Sequence, residues 1–195
     1  HLAIGVMRKR LQEHFPGIQI KVIGEPEDLP SAQALAKQDR YQFQWWALSK
    51  IGARPLGEKK KGADKGIDGV IPFDDTPGGK LKRAVVSVKS GLVGVPALRE
   101  LLGEVETNKD PIGIFLTLHP PTQPMIAEAA AAGFYHSELW QKDFPKIQIL
   151  TIEDVFLGKL PKIPPSAPPP KAPSFEKVTK KGKSARSKEL EKPFP

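Results

Sequence analysis

An aspartate, a serine and a lysine are spaced so that a suitable fold would let them act together on a phosphodiester. Asp68 lies near the start of one apolar stretch, and Ser87 and Lys89 lie at the end of the next. A carboxylate is a ligand for Mg²⁺, which binds oxygen atoms. An ammonium group can position the attacking water or neutralise the charge that develops on the phosphate. These residue types therefore predict metal-assisted phosphodiester hydrolysis, with Asp68 as the Mg²⁺ ligand.

The segment between the two stretches predicts a β-hairpin that would bring these residues together. Residues 74–80 read DDTPGGK, which is strong turn chemistry. If the turn is centred on its Pro-Gly pair, Asp68 lies opposite Ser87, about 5 Å away on the same face. Lys89 is two residues further on and faces the same side. A β-bulge would change this register. The simpler interpretation is a Gly/Asp turn before a hairpin, with Lys89 solvated at a strand end.

Hydrophobic periodicity predicts the elements around this hairpin. We expect helices at residues 1–15, 31–51, 95–108, 122–132 and, for a turn or two, 152–157. We expect strands at residues 18–23, 67–73, 81–89, 112–118 and 147–151. The order of helix, hairpin, helix, strand, helix and strand indicates an α/β sandwich built around a mixed β-sheet.

The charge is unevenly distributed along the 195 residues. The formal net charge is +8, but residues 159–195 contain ten Lys or Arg and three Glu, which leaves the rest nearly neutral. Residues 160–195 also contain nine prolines and almost no periodic apolar pattern. We expect this part to be a disordered basic tail, acting either as a solvated linker or as an arm that contacts phosphates without sequence preference.

Composition excludes several other classes of protein. The chain has no cysteine, which removes disulfides and zinc-thiolate sites. No apolar run approaches the roughly 20 residues of a membrane-spanning helix, and no signal peptide opens the sequence. A soluble cytoplasmic protein is therefore expected. Because the first residue is His1 rather than Met, we also expect a piece of a longer polypeptide.

Three segments carry a resemblance to a known family. They are residues 43–47 (FQWWA), residues 59–69 (KKKGADKGIDG) and residues 86–89 (VSVK). Together they resemble the Mrr-type restriction endonuclease domain of the PD-(D/E)xK nuclease superfamily. Residues 22–160 more closely resemble the C-terminal extension of bacterial site-specific DNA methyltransferases of the adenine-N6/cytosine-N4 class. The resemblance implies a restriction-endonuclease-like mixed sheet flanked by helices, double-stranded DNA as partner, and fusion to a methyltransferase domain.

The same resemblance implies roles for individual residues. Asp68 would be the metal-binding aspartate and Lys89 the catalytic lysine. Ser87 stands where the superfamily usually has Glu, Asp or Gln, and Gln44 stands where many members have a helical Glu. Apart from the resemblance, the glycine-bounded loop just before the proposed site carries Lys59, Lys60, Lys61 and Lys65, which would either contact DNA phosphates or be solvated.

The pattern and composition along the chain also predict domain boundaries. Residues 1–30 would be a connector or the end of an upstream domain, residues 31–159 the nuclease-like domain, and residues 160–195 the tail.

Three functions are consistent with these patterns. The first is a Mg²⁺-dependent DNA endonuclease domain of a restriction-modification protein. The second is a catalytically degenerate DNA-binding module that assists a methyltransferase, which the neutral residues Ser87 and Gln44 favour. The third is an interaction domain with no role on DNA, which the near-neutral charge of residues 1–158 keeps open.

Overall fold

The helices and strands alternate in the way that the sequence pattern predicts for most of the chain. The computed structural model of the protein describes residues 2–56, 66–75 and 81–165. Its elements, in chain order, are α1 (Leu2–His14), α2 (Leu29–Gln38), α3 (Arg40–Lys50), β1 (Arg54–Pro55), β2 (Gly69–Phe73), β3 (Lys82–Lys89), α4 (Val95–Thr107), β4 (Ile112–Thr117), α5 (Gln123–Ala131), β5 (Phe134–Ser137), β6 (Lys142–Pro145), β7 (Ile147–Thr151) and α6 (Ile152–Phe156).

Five strands form one mixed sheet in the order β1-β2-β3-β4-β7. The pairs β1–β2 and β2–β3 are antiparallel, whereas β3–β4 and β4–β7 are parallel. Helix α4 connects the parallel strands β3 and β4, as a crossover between parallel strands requires. The expected α/β architecture with a mixed sheet flanked by helices is therefore confirmed.

The sheet separates two hydrophobic cores. Helices α2, α3 and α6 cover one face, where Phe43 and Trp46 pack against Ala84 and Val86 of β3. Helices α4 and α5 cover the other face, where Val85 belongs to the second core. All six residues of β4 are buried, as expected for a strand covered on both faces. Strand β3 is thus fixed from both sides up to Ser87.

Two sequence-based predictions on the N-terminal side are wrong. The helix predicted at residues 31–51 is two helices, because Asp39 leaves the helical conformation and its carboxylate accepts hydrogen bonds from the N–H groups of Tyr41 and Gln42. The strand predicted at residues 18–23 does not form. Its apolar residues have no strand to pair with among the described residues, and Ile23 is 89% exposed.

A second sheet, formed by β5 and β6, was not predicted. A buried polar network attaches it to the main hairpin. The carboxylate of Asp75, which is 2% exposed, accepts hydrogen bonds from the hydroxyls of Tyr135 and Ser137 and from Lys82 Nζ at 3.0 Å. Burial raises the pKa of Asp75, but the hydrogen bonds from Ser137, Tyr135 and Lys82 outweigh it and hold the pKa below its ordinary value.

The segments before and after the sheet in the sequence also contact the domain. Glu25 Oε2 accepts a hydrogen bond from Lys50 Nζ at 2.9 Å and lies 3.4 Å from Arg8 Nη1, which connects α1 to α3. At the other end, Lys162 N–H donates to Gln148 Oε1 at 2.8 Å. Among the described residues, no helix is long and apolar enough to cross a membrane.

Candidate active site

The β2–β3 hairpin has the register that its turn sequence predicts. Gly69 pairs with Val86, and the pairing continues without interruption to Phe73 and Lys82. The regular pairing ends at Gly69. The N–H of the preceding residue, Asp68, donates to the carbonyl of Val86 at 2.8 Å instead of extending the ladder by one residue. The candidate aspartate therefore stands at the point where β2 begins.

The carboxylate of Asp68 accepts a hydrogen bond from a backbone N–H group of β3. Its Oδ2 accepts a hydrogen bond of 2.6 Å from the N–H of Val88. Val88 lies between Ser87 and Lys89, so the carboxylate is held against the backbone that joins these two candidate residues. This short bond to a charged acceptor fixes the position of the carboxylate at the end of the sheet.

Ser87 and Lys89 lie on the side of β3 that faces α4 and α5. Val86 and Val88 pack towards α3, and side chains alternate along a strand. Ser87 is 1% exposed and is paired with Phe115 of β4. Lys89 is half-buried and is paired with Thr117. Its ammonium group has no ion pair or hydrogen bond with any other described residue, so it is available to a ligand.

Gln44 reaches the same strand end from the opposite side. It lies on α3, which packs on the face towards which Val88 points, and it lines a cavity together with Val88 and Ser90. The four candidate residues thus surround the end of β3. Asp68 lies at the sheet margin, Ser87 and Lys89 lie on one face, and Gln44 lies on the other.

The oxygen atoms at this strand end match the chemistry of a divalent cation only in part. Carboxylate, amide and hydroxyl oxygens are the ligand types that Mg²⁺ uses, and Mg²⁺ commonly takes one or two carboxylates with water and phosphate oxygens. Asp68 supplies one carboxylate. Within residues 2–56, 66–75 and 81–165, no three His, Cys, Asp or Glu side chains are grouped as a metal site.

Two acidic residues could supply a second carboxylate, but Asp64 lies outside the described residues and Glu104 does not lie at this strand end. That residue lies in the last part of α4, where it accepts a hydrogen bond from Asn108 Nδ2 at 2.9 Å. Helix α4 runs back from the end of β3 to the start of β4. Glu104, in its last part, is therefore near the opposite end of these strands from Asp68. The candidate DNA-contacting residues Lys59, Lys60, Lys61 and Lys65, and the tail from residue 166, lie outside the described residues.

Gly69, which follows the candidate aspartate, is packed tightly against its neighbours. In the fold Gly69 is buried, and a Cβ atom there would lie 2.7 Å from Leu48 Cδ2 and 2.9 Å from the carbonyl oxygen of Arg54. Helix α3 and strand β1 therefore pack so closely against position 69 that only glycine fits there.

Sequence reasoning did not identify Arg40, Tyr41 and Ser90 as neighbours of the site. All three line the cavity that Gln44 and Val88 share. The helical spacing of Tyr41 and Gln44, three residues apart, is a signal that they share a helix face. The contribution of Ser90 depends on how α3 packs against β3, which no local pattern reports.

The Mrr_cat family model, described as restriction endonuclease, matches residues 45–143, just over half of the chain. The match includes Asp68, Ser87 and Lys89 and begins one residue after Gln44. No curated protein matches the sequence.

Among solved structures, the DNA modification-dependent restriction endonuclease AspBHI is similar, with a TM-score of 0.45 and 14% sequence identity. That similarity covers 71% of this chain and 38% of AspBHI, so the chain spans well under half of that protein.

Proposed function

The chain belongs to the Mrr_cat restriction endonuclease family, and we propose that it binds double-stranded DNA and hydrolyses its phosphodiester bonds with the help of Mg²⁺. The observation that carries this proposal is the 2.6 Å hydrogen bond from Val88 N–H to Asp68 Oδ2. It holds the one candidate carboxylate against the backbone between Ser87 and Lys89. The nuclease domain would comprise residues 31–159.

Each residue of the site has a definite task in this proposal. Asp68 would hold the cation through the carboxylate that Val88 orients. When bound, Mg²⁺ supplies Lewis acidity to the phosphate and lowers the pKa of water. Lys89 would donate to the phosphate or position the attacking water, since its ammonium group has no partner in the part of the chain that the structure describes. Ser87 and Gln44, both neutral, stand at the two positions where related nucleases use carboxylates, on opposite faces of the sheet.

The wider setting of the domain is also part of the proposal. The basic residues at positions 59–61 and 65 would contact DNA phosphates beside the site, because lysine clusters bind the DNA backbone through charge. The resemblance of residues 22–160 to the C-terminal extension of adenine-N6/cytosine-N4 methyltransferases supports a fusion with such an enzyme. In that arrangement the chain would be the cleaving part of a restriction-modification protein.

The test is cleavage of supercoiled plasmid DNA in the presence of Mg²⁺ or Mn²⁺. We expect the protein to nick or linearise the plasmid, and EDTA to prevent this. Asp68→Asn should lower the cleavage rate by roughly 10²- to 10³-fold, because losing one electrostatic group of a catalytic site costs this much. Asparagine keeps an oxygen that accepts from Val88 N–H, so the fold should be unaffected. Lys89→Ala should have a comparable effect.

Two exposed residues of β6 provide matched controls. Asp143→Asn removes a carboxylate that is 65% exposed, and Lys142→Ala removes a lysine, both away from the site. Neither should change the cleavage rate. Intact plasmid at both metals, together with normal DNA binding, would contradict the catalytic proposal and leave the degenerate DNA-binding module as the function.

A further inference from the structure

A cavity of about 260 Å³ lies between the first turns of α3 and the end of β3. It is lined by Arg40, Tyr41, Phe43, Gln44, Val88 and Ser90. Pockets for drug-sized ligands have volumes of roughly 300–1,000 Å³, so this one suits a single ring system. The roles proposed for Asp68, Ser87 and Lys89 in cleavage do not assign a ligand to this cavity.

The apolar part of the lining suits the flat face of a ring. Phe43 is 1% exposed and Val88 is partly buried, and together they form an apolar wall. Tyr41, which is 58% exposed, also lines the cavity. These apolar groups offer a free phosphate no hydrogen bond. A nucleobase has apolar faces and can stack on an aromatic side chain.

The polar part of the lining suits the edge of a base and its phosphate. The side chains of Arg40, Gln44 and Ser90 have no hydrogen-bond partner elsewhere in the described residues. The amide of Gln44 offers both a donor and an acceptor, the pair that binds the N6 and N7 edge of adenine. Arg40 is exposed at the start of α3, where its guanidinium group can reach a phosphate.

Val88 connects the cavity to the candidate catalytic carboxylate. Its side chain lines the cavity, and its N–H donates a hydrogen bond of 2.6 Å to Asp68 Oδ2. We propose that this cavity is a nucleobase subsite, which receives one unstacked nucleotide next to the phosphodiester that is cut. Tyr41 stacks on the base, Gln44 binds its edge, and Arg40 contacts its phosphate. This inference rests on the proposed nuclease function.

Photochemical cross-linking tests the stacking contact directly. DNA in which 5-iododeoxyuridine replaces thymidine is irradiated with the Asp68→Asn protein, whose cleavage should be roughly 10²- to 10³-fold slower, and the modified residue is identified by mass spectrometry. We expect a cross-link at Tyr41. A protein that binds this DNA but is cross-linked only at other residues would overturn the subsite.

The affinity of the same DNA for two aromatic variants is the second measurement. Tyr41→Ala in the Asp68→Asn background should weaken binding at least about fivefold, because base–aromatic stacking contributes about 1–3 kcal/mol. Phe134→Ala, which removes an aromatic ring that is 70% exposed on β5, should leave the affinity unchanged. Equal affinities of the two variants would contradict the role of Tyr41.

Substitution of Gln44 separates base recognition from metal binding. Gln44→Leu and Gln44→Glu should both reduce the preference among oligonucleotides that differ in one base, because each lacks the amide's donor. If Gln44 instead acted only on a cation, Gln44→Glu would accelerate cleavage and leave the preference among bases unchanged. Gln38→Leu, at the exposed end of α2, is the matched control.

The failure of the subsite and the failure of the nuclease proposal give different results. Cleavage by the wild-type protein without a cross-link at Tyr41 refutes the subsite alone. A cross-link at Tyr41 without cleavage by the wild-type protein supports base binding in the cavity and refutes the nuclease proposal. If the protein does not bind DNA, both are refuted.

Discussion

Asp68 combines a structural task with its candidate catalytic one. Its backbone N–H bonds to Val86, and its carboxylate completes the hydrogen bonding of Val88 where the strand ladder stops. The sequence could place this residue near Ser87, because turn chemistry sets the register of a hairpin. It could not show that the carboxylate would bond to the backbone of β3, because that depends on where regular pairing ends.

Gly69 provides a stability test at the scale of one residue. We predict that Gly69→Ala destabilises the protein by about 1–3 kcal/mol, the range for overfilling a packed region. The new Cβ would meet Leu48 and the backbone carbonyl of Arg54, which cannot move aside easily. Urea denaturation measures the change in the free energy of unfolding.

Gly103 is the matched control for this substitution. It lies inside α4, where an added Cβ meets nothing within 4 Å. Gly103→Ala should therefore stabilise the protein by about 0.5–1 kcal/mol through helix propensity. A Gly69→Ala protein as stable as the wild type would show that α3 and β1 adjust, and that glycine is not required beside Asp68.

At the scale of elements, the parts that follow local rules were predictable. The β2–β3 hairpin has a strong turn sequence, and the buried strand β4 has a continuous apolar run. Strands β5 and β6 have only four residues each and a weak hydrophobic pattern. Their attachment depends on Asp75, which lies in the predicted turn. The cavity beside Gln44 needs two elements distant in sequence, so no local pattern reveals it.

The Asp75 network makes a prediction about pH. The pKa of Asp75 is lowered in the folded protein, so its contribution to stability is complete above the unfolded pKa of roughly 3.9. The contribution is lost as the pH falls through the lower, folded pKa. Asp75→Asn should therefore cost roughly 1.5–3 kcal/mol at pH 7, the range for hydrogen bonds to charged groups. The difference from the wild type should shrink below about pH 4.

Chemical denaturation at several pH values measures this difference. Asp143→Asn, an exposed carboxylate of the neighbouring strand β6, serves as the control and should change stability little at pH 7. A cost for Asp75→Asn that does not depend on pH would show that shape, rather than charge, holds the second sheet in place.

At the scale of the whole molecule, the basic charge is concentrated outside the described fold. Residues 166–195 contain eight Lys or Arg and three Glu. If this segment contacts DNA, deleting it should weaken binding more at 50 mM than at 200 mM salt, because each phosphate contact adds about 0.9 to the slope of log affinity against log salt. Fluorescence anisotropy over this salt range measures the slope.

A second variant separates charge from length in the same segment. Replacing its eight basic residues with glutamine keeps the chain length and should reproduce the effect of the deletion. An unchanged salt slope in both variants would identify the segment as a solvated linker. The phosphate contacts would then come from the domain itself.

The hydrogen bond between Val88 and Asp68 also gives the domain an internal spectroscopic reporter. A cation that binds the Asp68 carboxylate withdraws electron density from the acceptor of the Val88 N–H. The ¹H–¹⁵N resonance of Val88 should therefore shift when Mg²⁺ is added, while that of Ile114, buried in β4, stays in place. Occupancy of the site can in this way be followed one bond from the ligand, without DNA and without turnover.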